Sequence, residues 1–419
     1  MHYVIIGNSA AAVGAVEGIR IIDNKNPITI ISDEPYHTYS RPLISYYLAG
    51  KVTEDQMLYR PRSFYQDCKV GIFLGRRADR IDTDNRKVFM DDDNTVTYDR
   101  LLIATGGKPF LPPVEGMDKD NVFTFLKWDD VIAIKEVVSP RTKAVVIGGG
   151  LIGLKAAEAL TILGVQVTVV DLADRILSTI LDAEAARIVQ QKLEEKGIQF
   201  RLGTTVSTVM GEEKVTGVGL QDGSIEECGV LVFAIGVVPN TDAVRGTEVK
   251  TNRGIRVDER MRTNVKDVYA AGDAAEGYDI LCRESRVLAI LPNAYKQGEI
   301  AGLNMAGSAT TFEGGFAFNS ISFFDFPIVT AGLQDGQPSG KMEVFLDYQP
   351  ERASYKKIFL RDNRLVGFII LNDVDRAGLL TGLVGDSVDV SEFKESLLKE
   401  DFGYVSLPKG VRSERLIRG

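Results

Sequence analysis

Residues that build metal centres and disulfides are scarce in this sequence. The 419 residues include three cysteines and two histidines, and no two cysteines form a CxxC pair. Structural zinc and cysteine-ligated iron–sulfur clusters are therefore not expected, and the cysteines are expected to be reduced thiols in a cytoplasmic protein. These residues are Cys68, Cys228, Cys282, His2 and His37.

Long apolar runs and an excess of positive charge are also missing. No apolar run reaches the length that spans a bilayer. The apolar start, MHYVIIGNSAAAVGAV, lacks a basic leader and is more typical of a buried strand and helix than of a signal peptide. The net charge of −9 disfavours nucleic acid and anionic membranes as partners. The length predicts two or three soluble globular domains.

One pattern of short segments occurs twice. YVIIG is a β-branched run, NSAAAVGAVEGIR is typical of a helix, and PITIISDE is a strand that ends in acids. KAVVIGGG, LIGLKAAEALTILG and VQVTVVD repeat the order of strand, small-residue turn, helix, strand and acid. Continuous valine and isoleucine are typical of buried parallel strands, so the sequence predicts an α/β fold with two such units.

The second copy contains GxGxxG, a motif typical of dinucleotide-binding turns. Its glycines allow a tight turn and close approach to a pyrophosphate, which the helix N-terminus attracts. Asp171 ends the next strand, where an acid binds a ribose diol and repels a 2′-phosphate, so we expect NADH rather than NADPH. A glycine-rich turn without a ligand is the alternative. The predicted NAD contacts are Gly148, Gly150, Leu151, Ile152, Gly153 and Asp171.

The first copy is a degenerate version of the same motif, with Gly7, Ser9 and Ala12 at the glycine positions. Serine and alanine are small enough for close approach, and a serine hydroxyl can bond a phosphate. Asp33 or Glu34 would hold a ribose, although a serine occupies the literal strand end and the register stays open. Taken alone, the segment is also compatible with a strand–helix–strand unit that binds nothing.

Three further segments resemble the motifs of a known superfamily. YDRLLIATGGKP, from Tyr98, resembles the ATG motif of flavoprotein reductases, and TNVKDVYAAGDAA, from Thr263, resembles their second flavin motif. VLVFAIGVVPNT, from Val230, resembles the strand and turn that close the nicotinamide domain. In this order, and with the two dinucleotide turns, they resemble the FAD- and NAD(P)-dependent pyridine nucleotide–disulfide oxidoreductase superfamily over about residues 1–310.

The resemblance implies two Rossmann-like domains of the glutathione reductase type. We place the FAD domain at residues 1–114 and 247–312, and the inserted NAD(H) domain at 115–246. LPNAYKQGEIAGLNMAG resembles the helix whose N-terminus faces the flavin, although an ordinary amphipathic helix is the alternative. The implied FAD contacts are Gly7, Ser9, Ala10, Ala12, Asp33, Glu34, Arg41, Pro42, Ala78, Thr105, Gly106, Gly272, Asp273, Leu291 and Pro292, and Gly236 is a further implied NAD contact.

Residues 313–419 are predicted to form a C-terminal α+β domain. KMEVFLDY and YKKIFLRDNRLVGFIILND are typical of strands, with a hairpin at Asp362–Asn363, and AGLLTGLVGDSV is typical of a helix. This part resembles, more loosely, the C-terminal domain of NADH–rubredoxin oxidoreductases and of the flavin portion of NADH nitrite reductases. The resemblance implies a domain that covers the flavin or contacts another subunit. The tail from Asp401 is either a docking arm or a solvated terminus.

The segment HTYSRPLISYYL, residues 37–48, lacks the cysteine that several relatives use for electron transfer. Aligning Tyr46 and Tyr47 with the tyrosine pair of those relatives puts Pro42 at the cysteine position, and proline has no redox chemistry. The segment resembles instead the YSKP or YDRPPLSK segment of rubredoxin and ferredoxin reductases. We therefore expect electrons to leave directly from FAD, without a protein disulfide.

Two cations are candidates for tuning the flavin. Rubredoxin and ferredoxin reductases usually pair a lysine with a glutamate beside the reactive nitrogen of the flavin. Lys155 replaces that glutamate, and Arg41 aligns with the lysine of YSKP, whereas Tyr46 takes this place in the alternative register. Both cations together would raise the flavin potential and are predicted as catalytic residues. The alternative is that Lys155 extends to solvent and pairs with a nearby acid such as Glu158.

These observations predict an NADH-dependent FAD oxidoreductase that transfers electrons to an external acceptor. Rubredoxin, ferredoxin or an iron–sulfur subunit fits as the acceptor, because the chain has no cluster ligands of its own. The chain itself is expected to form a homodimer or to be part of a hetero-complex. One alternative is an NADH oxidase that forms hydrogen peroxide. Another is a binding flavoprotein that senses NADH and docks a partner.

Overall fold

The computed structural model describes residues 1–333 and 342–418. The strands are β1 (Tyr3–Ile6), β2 (Ile28–Ser32), β3 (Val70–Leu74), β4 (Ala78–Asp82), β5 (Lys87–Met90), β6 (Thr95–Thr97), β7 (Arg100–Ile103), β8 (Gly107–Pro109), β9 (Val122–Thr124), β10 (Lys143–Ile147), β11 (Gln166–Asp171), β12 (Gln199–Leu202), β13 (Val206–Met210), β14 (Gly217–Leu220), β15 (Ile225–Glu227), β16 (Val230–Phe233), β17 (Val237–Pro239), β18 (Ile255–Arg256), β19 (Val268–Ala270), β20 (Ala275–Asp279), β21 (Glu284–Arg286), β22 (Phe318–Phe323), β23 (Phe326–Gly332), β24 (Glu343–Gln349), β25 (Ser354–Arg361) and β26 (Arg364–Leu371). The helices are α1 (Ala10–Ile22), α2 (Ile44–Leu48), α3 (Glu54–Met57), α4 (Phe64–Asp67), α5 (Trp128–Val137), α6 (Leu151–Ile162), α7 (Ala183–Glu194), α8 (Leu291–Met305), α9 (Ala377–Gly385) and α10 (Lys409–Arg418).

The chain divides into two compact units. The first comprises residues 1–110, 126–131 and 236–315, and the second comprises 111–125, 132–235 and the described part of 316–419. The predicted domain boundaries, with an NAD(H) domain at 115–246 and a C-terminal domain from 313, stay predictions.

The first unit is built on a five-stranded parallel sheet in the order β19–β7–β1–β2–β3. Every residue of β1 and β2 is buried, as expected for strands covered on both faces. Smaller sheets are formed by β4–β5–β6, by β8–β17 and by β18–β20–β21. Because the five strands of the main sheet are parallel, the turns that follow their carboxyl ends lie at one edge of that sheet.

Helices α1 and α8 pack with their backbones in direct contact within the first unit. A Cβ atom added at Gly14 or Gly298 would lie 2.2 or 1.9 Å from a carbonyl oxygen of the other helix. The same holds for Gly18 and Gly302, at 2.5 and 2.2 Å. Real side chains do not approach a backbone this closely, so glycine is required at all four positions. The crossing fixes the start of α8 relative to the turn before α1.

The second unit contains another five-stranded parallel sheet, in the order β12–β11–β10–β16–β9. An antiparallel sheet, β13–β14–β15, packs with it around one apolar core that includes Ile147, Val170, Val209 and Val218. The two parallel sheets confirm the prediction of two Rossmann-like nucleotide domains.

The C-terminal part of the second unit is an antiparallel sheet in the order β22–β23–β26–β25–β24, with α9 packed against it. Asp362 and Asn363 have φ angles of 50° and 55°, which confirms the predicted two-residue hairpin between β25 and β26. Lys341 of the predicted strand KMEVFLDY lies outside the described residues. The tail forms α10.

Membrane-spanning segments were searched for among the helices of residues 1–333 and 342–418. None of those helices is both long enough and apolar enough to cross a bilayer.

Candidate cofactor sites

The turn between β1 and α1 in the first unit has the shape of a phosphate-binding turn. Gly7 has a φ angle of 114°, and a Cβ atom there would lie 2.0 Å from the Ala104 carbonyl oxygen. Ser9 is the N-cap of α1, but its hydroxyl makes no capping bond within the helix. The first N–H groups of α1 are therefore left to an anionic ligand. Ala10 and Ala12, predicted at the same turn, are buried.

Asn8 connects this turn to the segment around residues 36–39. Its Oδ1 accepts a hydrogen bond of 2.8 Å from the Tyr65 hydroxyl, and its Nδ2 donates to the Tyr36 carbonyl at 3.2 Å. The Thr38 amide donates to the Tyr65 hydroxyl oxygen at 2.9 Å. The Thr38 hydroxyl is buried and finds no partner among the described residues. Such an unsatisfied group is typical of a site that a polar ligand completes.

The acids after β2 differ in their surroundings. Glu34 is 5% exposed and forms an ion pair with the Arg41 guanidinium, while its Oε2 accepts a hydrogen bond of 2.5 Å from the Tyr39 hydroxyl. Asp33 is half exposed and pairs with Lys127 Nζ at 2.5 Å. Of the two predicted ribose ligands, Glu34 is thus the one held inside the unit. Pro42, in the 3₁₀ turn that follows Arg41, is exposed.

Residues 126–131 pack against this acid, although the sequence places them in the NAD(H) insertion. Arg41 donates to the Leu126 carbonyl at 3.1 Å, and the Trp128 amide donates to the Tyr39 hydroxyl at 3.1 Å. The Trp128 ring lies 4.8, 5.3 and 5.6 Å from the rings of Tyr36, Tyr39 and Tyr47. We call these four residues the aromatic cluster. Sequence reasoning missed it, and the only available signal was the single tryptophan.

The second predicted flavin motif lies between α1 and α8. A Cβ atom at Gly272 would lie 3.1 Å from Ala11 Cβ and 3.4 Å from Ala294 Cβ, and the Gly272 amide donates to Gln297 Oε1 at 2.8 Å. Burial raises the pKa of Asp273, and the positive charge of Arg41 opposes that shift. The first unit therefore brings Asp273 under the influence of Arg41. Leu291 and Pro292 begin α8, whose N-cap makes no side-chain bond.

The remaining predicted residues of the first unit lie around its strand ends. The Thr105 hydroxyl donates to the Asn240 carbonyl at 2.6 Å, and the Asn240 amide donates to the Gly106 carbonyl at 2.9 Å. Gly236, predicted as an NAD contact, belongs to this unit, where its carbonyl accepts the Phe110 amide at 3.0 Å. Ala78 is buried at the start of β4, in the same chain segment whose Arg76 amide bonds the Ser32 carbonyl.

The turn between β10 and α6 in the second unit matches the dinucleotide motif closely. Gly148 has a φ angle of 113°, and a Cβ atom at Gly153 would lie 1.9 Å from the Gly148 carbonyl oxygen. Asp171 Oδ2 accepts a hydrogen bond of 2.5 Å from the Gly149 amide, and its Oδ1 accepts one of 2.7 Å from the Ala173 amide. The carboxylate therefore lies at the turn, in the position predicted for a ribose contact. Gly150, Leu151 and Ile152 begin α6 beside it.

Lys155 forms an ion pair with Glu158 on the same helix, as the alternative interpretation of the sequence predicted, but it does not extend to solvent as that interpretation also expected. The two side chains are 12% and 3% exposed. Lys155 Nζ also donates to the Ser322 carbonyl at 3.1 Å, and Glu158 Oε1 accepts the Phe324 amide at 2.8 Å. The lysine charge is thus balanced within the second unit, which weakens the argument that this residue adds a second cation beside the flavin.

The three cysteines are free and separate. Cys228 belongs to the apolar core of the second unit, and burial raises its pKa to about 12. Burial also raises the pKa of Cys68 and of Cys282, and Arg286 donates a hydrogen bond to the Cys282 sulfur at 3.2 Å. A redox-active cysteine normally has a lowered pKa, so none of the three has the environment of one.

Two family models match the chain. One described as pyridine nucleotide-disulphide oxidoreductase matches residues 1–298, and one described as rubredoxin NAD+ reductase C-terminal domain matches residues 318–397.

Known proteins resemble the chain over nearly all of its length. Nitrite reductase [NAD(P)H] of Bacillus subtilis is 31% identical over 391 residues, which cover 93% of this chain and 48% of that protein. The chain therefore spans about half the length of that relative. NADH-dependent phenylglyoxylate dehydrogenase subunit epsilon of Aromatoleum evansii is 29% identical over 396 residues, 94% of this chain and 93% of that one. The crystal structure of NADH:rubredoxin oxidoreductase from Clostridium acetobutylicum superposes with a TM-score of 0.76 at 25% identity, covering 94% and 97% of the two chains.

FAD and NADH are the cofactors of this type of oxidoreductase, and the residues present fit both. For FAD, the first unit supplies a turn without room for a Cβ atom, a free helix N-terminus, the unpartnered Thr38 hydroxyl and a buried acid. For NADH, the second unit supplies a glycine turn closed by Asp171. The chain belongs to the pyridine nucleotide-disulphide oxidoreductase family.

Proposed function

We propose that this oxidoreductase passes electrons from NADH through FAD directly to a separate rubredoxin-like or iron–sulfur protein. When bound, FAD accepts two electrons from NADH and releases them singly, which suits a one-electron protein acceptor. The observation that carries the proposal is the state of the cysteines, which are separate thiols with raised pKa values and therefore do not supply a disulfide relay.

The protein residues bind and orient the two cofactors. In the second unit, Gly148 and the start of α6 hold the pyrophosphate of NADH, and Asp171 binds its ribose. In the first unit, Glu34 and Arg41 hold the ribose and phosphate side of FAD, and Asp273 contacts its ribityl chain. The N-terminus of α8 supplies partial positive charge. These contacts, like the rest of the predicted contact set, stay predictions.

The relatives support a protein acceptor. One of them is named as a subunit of an NADH-dependent dehydrogenase, and another is named for its rubredoxin substrate. The match to the rubredoxin reductase C-terminal domain extends the similarity into β22–β26. We infer that the acceptor is an iron–sulfur or rubredoxin-like protein that associates with this chain, either transiently or as a subunit of a larger complex.

Acceptor assays on the FAD-loaded enzyme test this proposal. Under anaerobic conditions, NADH is expected to reduce added rubredoxin or ferredoxin faster than the same enzyme consumes oxygen in air. The variant carrying Cys68→Ser, Cys228→Ala and Cys282→Ser is expected to keep the acceptor rate within about twofold, because no step needs a thiol. A thiol that changes oxidation state during turnover would contradict the proposal.

The same measurements separate the two alternatives. Oxygen consumption that exceeds protein reduction, with hydrogen peroxide as product, would favour the NADH oxidase. Reduction of the flavin by NADH at a rate far below the roughly 1–1000 per second of ordinary turnover would favour the NADH-sensing protein.

A further inference from the structure

The turn between β22 and β23 has a strained backbone. Phe323 pairs with Phe326 across the hairpin, so the loop consists of Phe324 and Asp325. Phe324 has a φ angle of 52°, which bulky residues rarely adopt and which glycine or asparagine normally provides in hairpins. A conformation of this kind persists only where the surroundings hold it. The side chains that contact this turn therefore determine whether it keeps this conformation.

Two charged side chains of α6 hold the strained turn. Glu158 accepts the Phe324 amide at 2.8 Å, and Lys155 donates to the Ser322 carbonyl at 3.1 Å, while the two side chains pair with each other. Lys155 Nζ lies 5.9 Å from the centre of the Phe323 ring. We call Lys155 and Glu158 the clamp. The amide of the strained residue and the Ser322 carbonyl are thus both bonded by side chains of a single helix.

The same helix begins at the proposed NADH turn. Gly150 is its N-cap, and the clamp lies within its first two and a half turns. An α-helix moves as a rigid element over this length, so a displacement at its N-terminus reaches the clamp. The clamp side chains are charged and buried, so breaking their hydrogen bonds to the turn would leave them partly unsatisfied. The clamp and the turn it holds are therefore expected to follow the helix.

We propose that the clamp couples occupation of the NADH turn to the conformation of residues 322–325, so that the C-terminal sheet responds to bound nucleotide. The proposal rests on the NADH site assigned above and adds a link between that site and the domain expected to contact the acceptor. Lys155 and Glu158 act here as positioning residues.

Hydrogen exchange on the FAD-loaded enzyme tests the coupling, with NAD⁺ as the probe because it binds without turnover. NAD⁺ is expected to slow exchange of the amides of residues 322–326 by about fivefold or more, the lower end of ordinary allosteric coupling. The double variant Lys155→Met with Glu158→Leu replaces the ion pair by apolar residues, which usually preserves folding. In it, the slowing by NAD⁺ is expected to disappear.

Matched variants and a binding titration complete the experiment. Glu158→Gln keeps an acceptor for the Phe324 amide but loses the charge, and is expected to retain only part of the effect. Glu195→Gln breaks the exposed Lys192–Glu195 pair at the C-terminal end of α7, which has the same sequence spacing, and is expected to retain the whole effect. Because such a coupling acts in both directions, its loss in the double variant should also weaken NAD⁺ binding, by at most the factor by which NAD⁺ slows exchange in the wild-type protein.

The outcomes distinguish this coupling from the underlying site. If wild-type protein binds NAD⁺ saturably but exchange at residues 322–326 is unchanged, the coupling is wrong and the NADH site stands. If the double variant keeps the full NAD⁺ effect, the clamp is not the link. Failure of wild-type protein to bind NAD⁺ would contradict the NADH site and the coupling with it.

Discussion

The two nucleotide units share a backbone plan and differ in what anchors their helices. Gly7 and Gly148 are the same distance apart in the sequence as Ala10 and Leu151, so α1 and α6 begin at equivalent positions. The two glycines have φ angles of 114° and 113°, and a Cβ atom would lie 2.0 or 2.4 Å from a carbonyl oxygen. The backbone therefore dictates the first glycine in both units.

The other motif positions are less constrained than the sequence pattern suggests. Gly153 has no room for a Cβ atom, whereas Ala12 at the equivalent position is fully buried without conflict in the first unit. Gly150 has no atom within 4 Å of its Cβ position, so the serine found at Ser9 is sterically compatible with this kind of turn. The degenerate first motif thus reflects different helix packing, with the turn itself preserved.

The anchors of the two helices show the main difference. Glu17 and Glu158 are equivalent positions, but Glu17 binds Arg60 and Tyr295, whereas Glu158 binds Lys155 and a strained turn. The position of Lys155 corresponds to Gly14, which lies against the backbone of α8. The first unit is held by backbone contact that leaves no slack. At the equivalent positions, the second unit has a buried ion pair that contacts the turn between β22 and β23.

Replacing the first glycine is expected to have the largest effect. Gly7→Ala should lower the free energy of unfolding by at least about 3 kcal/mol and release FAD, because the new methyl group meets the Ala104 carbonyl at a positive φ. Gly148→Ala should abolish NADH binding and retain FAD. FAD content and thermal unfolding measure both.

Gly50→Ala is the matched control, since Gly50 has a φ angle of 69° but no atom within 4 Å of its Cβ position. It should cost about 1 kcal/mol. Full FAD content and an unchanged melting temperature in Gly7→Ala would show that the turn is not rigid.

Asp171→Asn is expected to raise the KM for NADH by about tenfold, since hydrogen bonds to a charged group contribute about 1.5–3 kcal/mol. The KM for NADPH should change less, because the repulsion of a 2′-phosphate is lost at the same time. Steady-state kinetics with both nucleotides measure the effect. Asp174→Asn, at a neighbouring carboxylate that is 83% exposed, should leave both constants unchanged. Equal losses for NADH and NADPH would count against the ribose role.

Glu17→Gln is expected to make stability less dependent on pH. Burial raises the pKa of Glu17, but hydrogen bonds from Arg60 and Tyr295 outweigh it, so the pKa is lowered overall. A lowered pKa contributes stability that is present above the unfolded value, about 4.3, and is lost as pH falls through the folded value. The variant should therefore lose about 1 kcal/mol at pH 7, and the difference should shrink below about pH 4.

Denaturant unfolding at pH 7 and at acidic pH checks this effect. Asp55→Asn, at a pair that is more than 70% exposed on the carboxylate side, should cost less than about 0.5 kcal/mol at either pH. A Glu17→Gln penalty that does not depend on pH would mean that shape, and not charge, matters at this helix.

Exchanging the residues at the second glycine position of the two dinucleotide motifs, Ser9 and Gly150, should have the smallest effect on cofactor binding. Ser9→Gly and Gly150→Ser are each expected to change the affinity for FAD or NADH by less than about threefold, since serine and glycine differ by only a few tenths of a kcal/mol at an N-cap. Cofactor titrations measure both. A tenfold loss in Ser9→Gly would show that the serine hydroxyl binds a phosphate.

The sequence predicted the parts of the fold that depend on local pattern. Buried valine and isoleucine runs indicated both parallel sheets, and Asp362–Asn363 indicated its hairpin because the turn needs residues that tolerate positive φ. The position of Asp171 followed from spacing along one strand–helix–strand unit. Such features are set by residues close together in the chain.

Features that depend on distant partners were not predictable in the same way. The pairing of Glu34 with Arg41 and Tyr39 joins a strand end to a loop, and residues 126–131 carry no periodic signal that would place them with the first unit. Nothing in the sequence marks Phe324 as strained, because no glycine or asparagine stands there. For Lys155, the sequence left two interpretations open, and the contacts with Glu158 and Ser322 that bear on them appear only in the structure.

The aromatic cluster has a practical consequence. Trp128 is the only tryptophan in the chain. Its ring contacts three tyrosine rings beside the buried Glu34 of the first unit. The tryptophan fluorescence of the protein therefore comes from a single position, Trp128. Because the cluster lies beside Glu34, binding of FAD to the proposed site of the first unit would quench this emission and release of FAD would restore it, which gives a continuous, label-free optical record of cofactor loading.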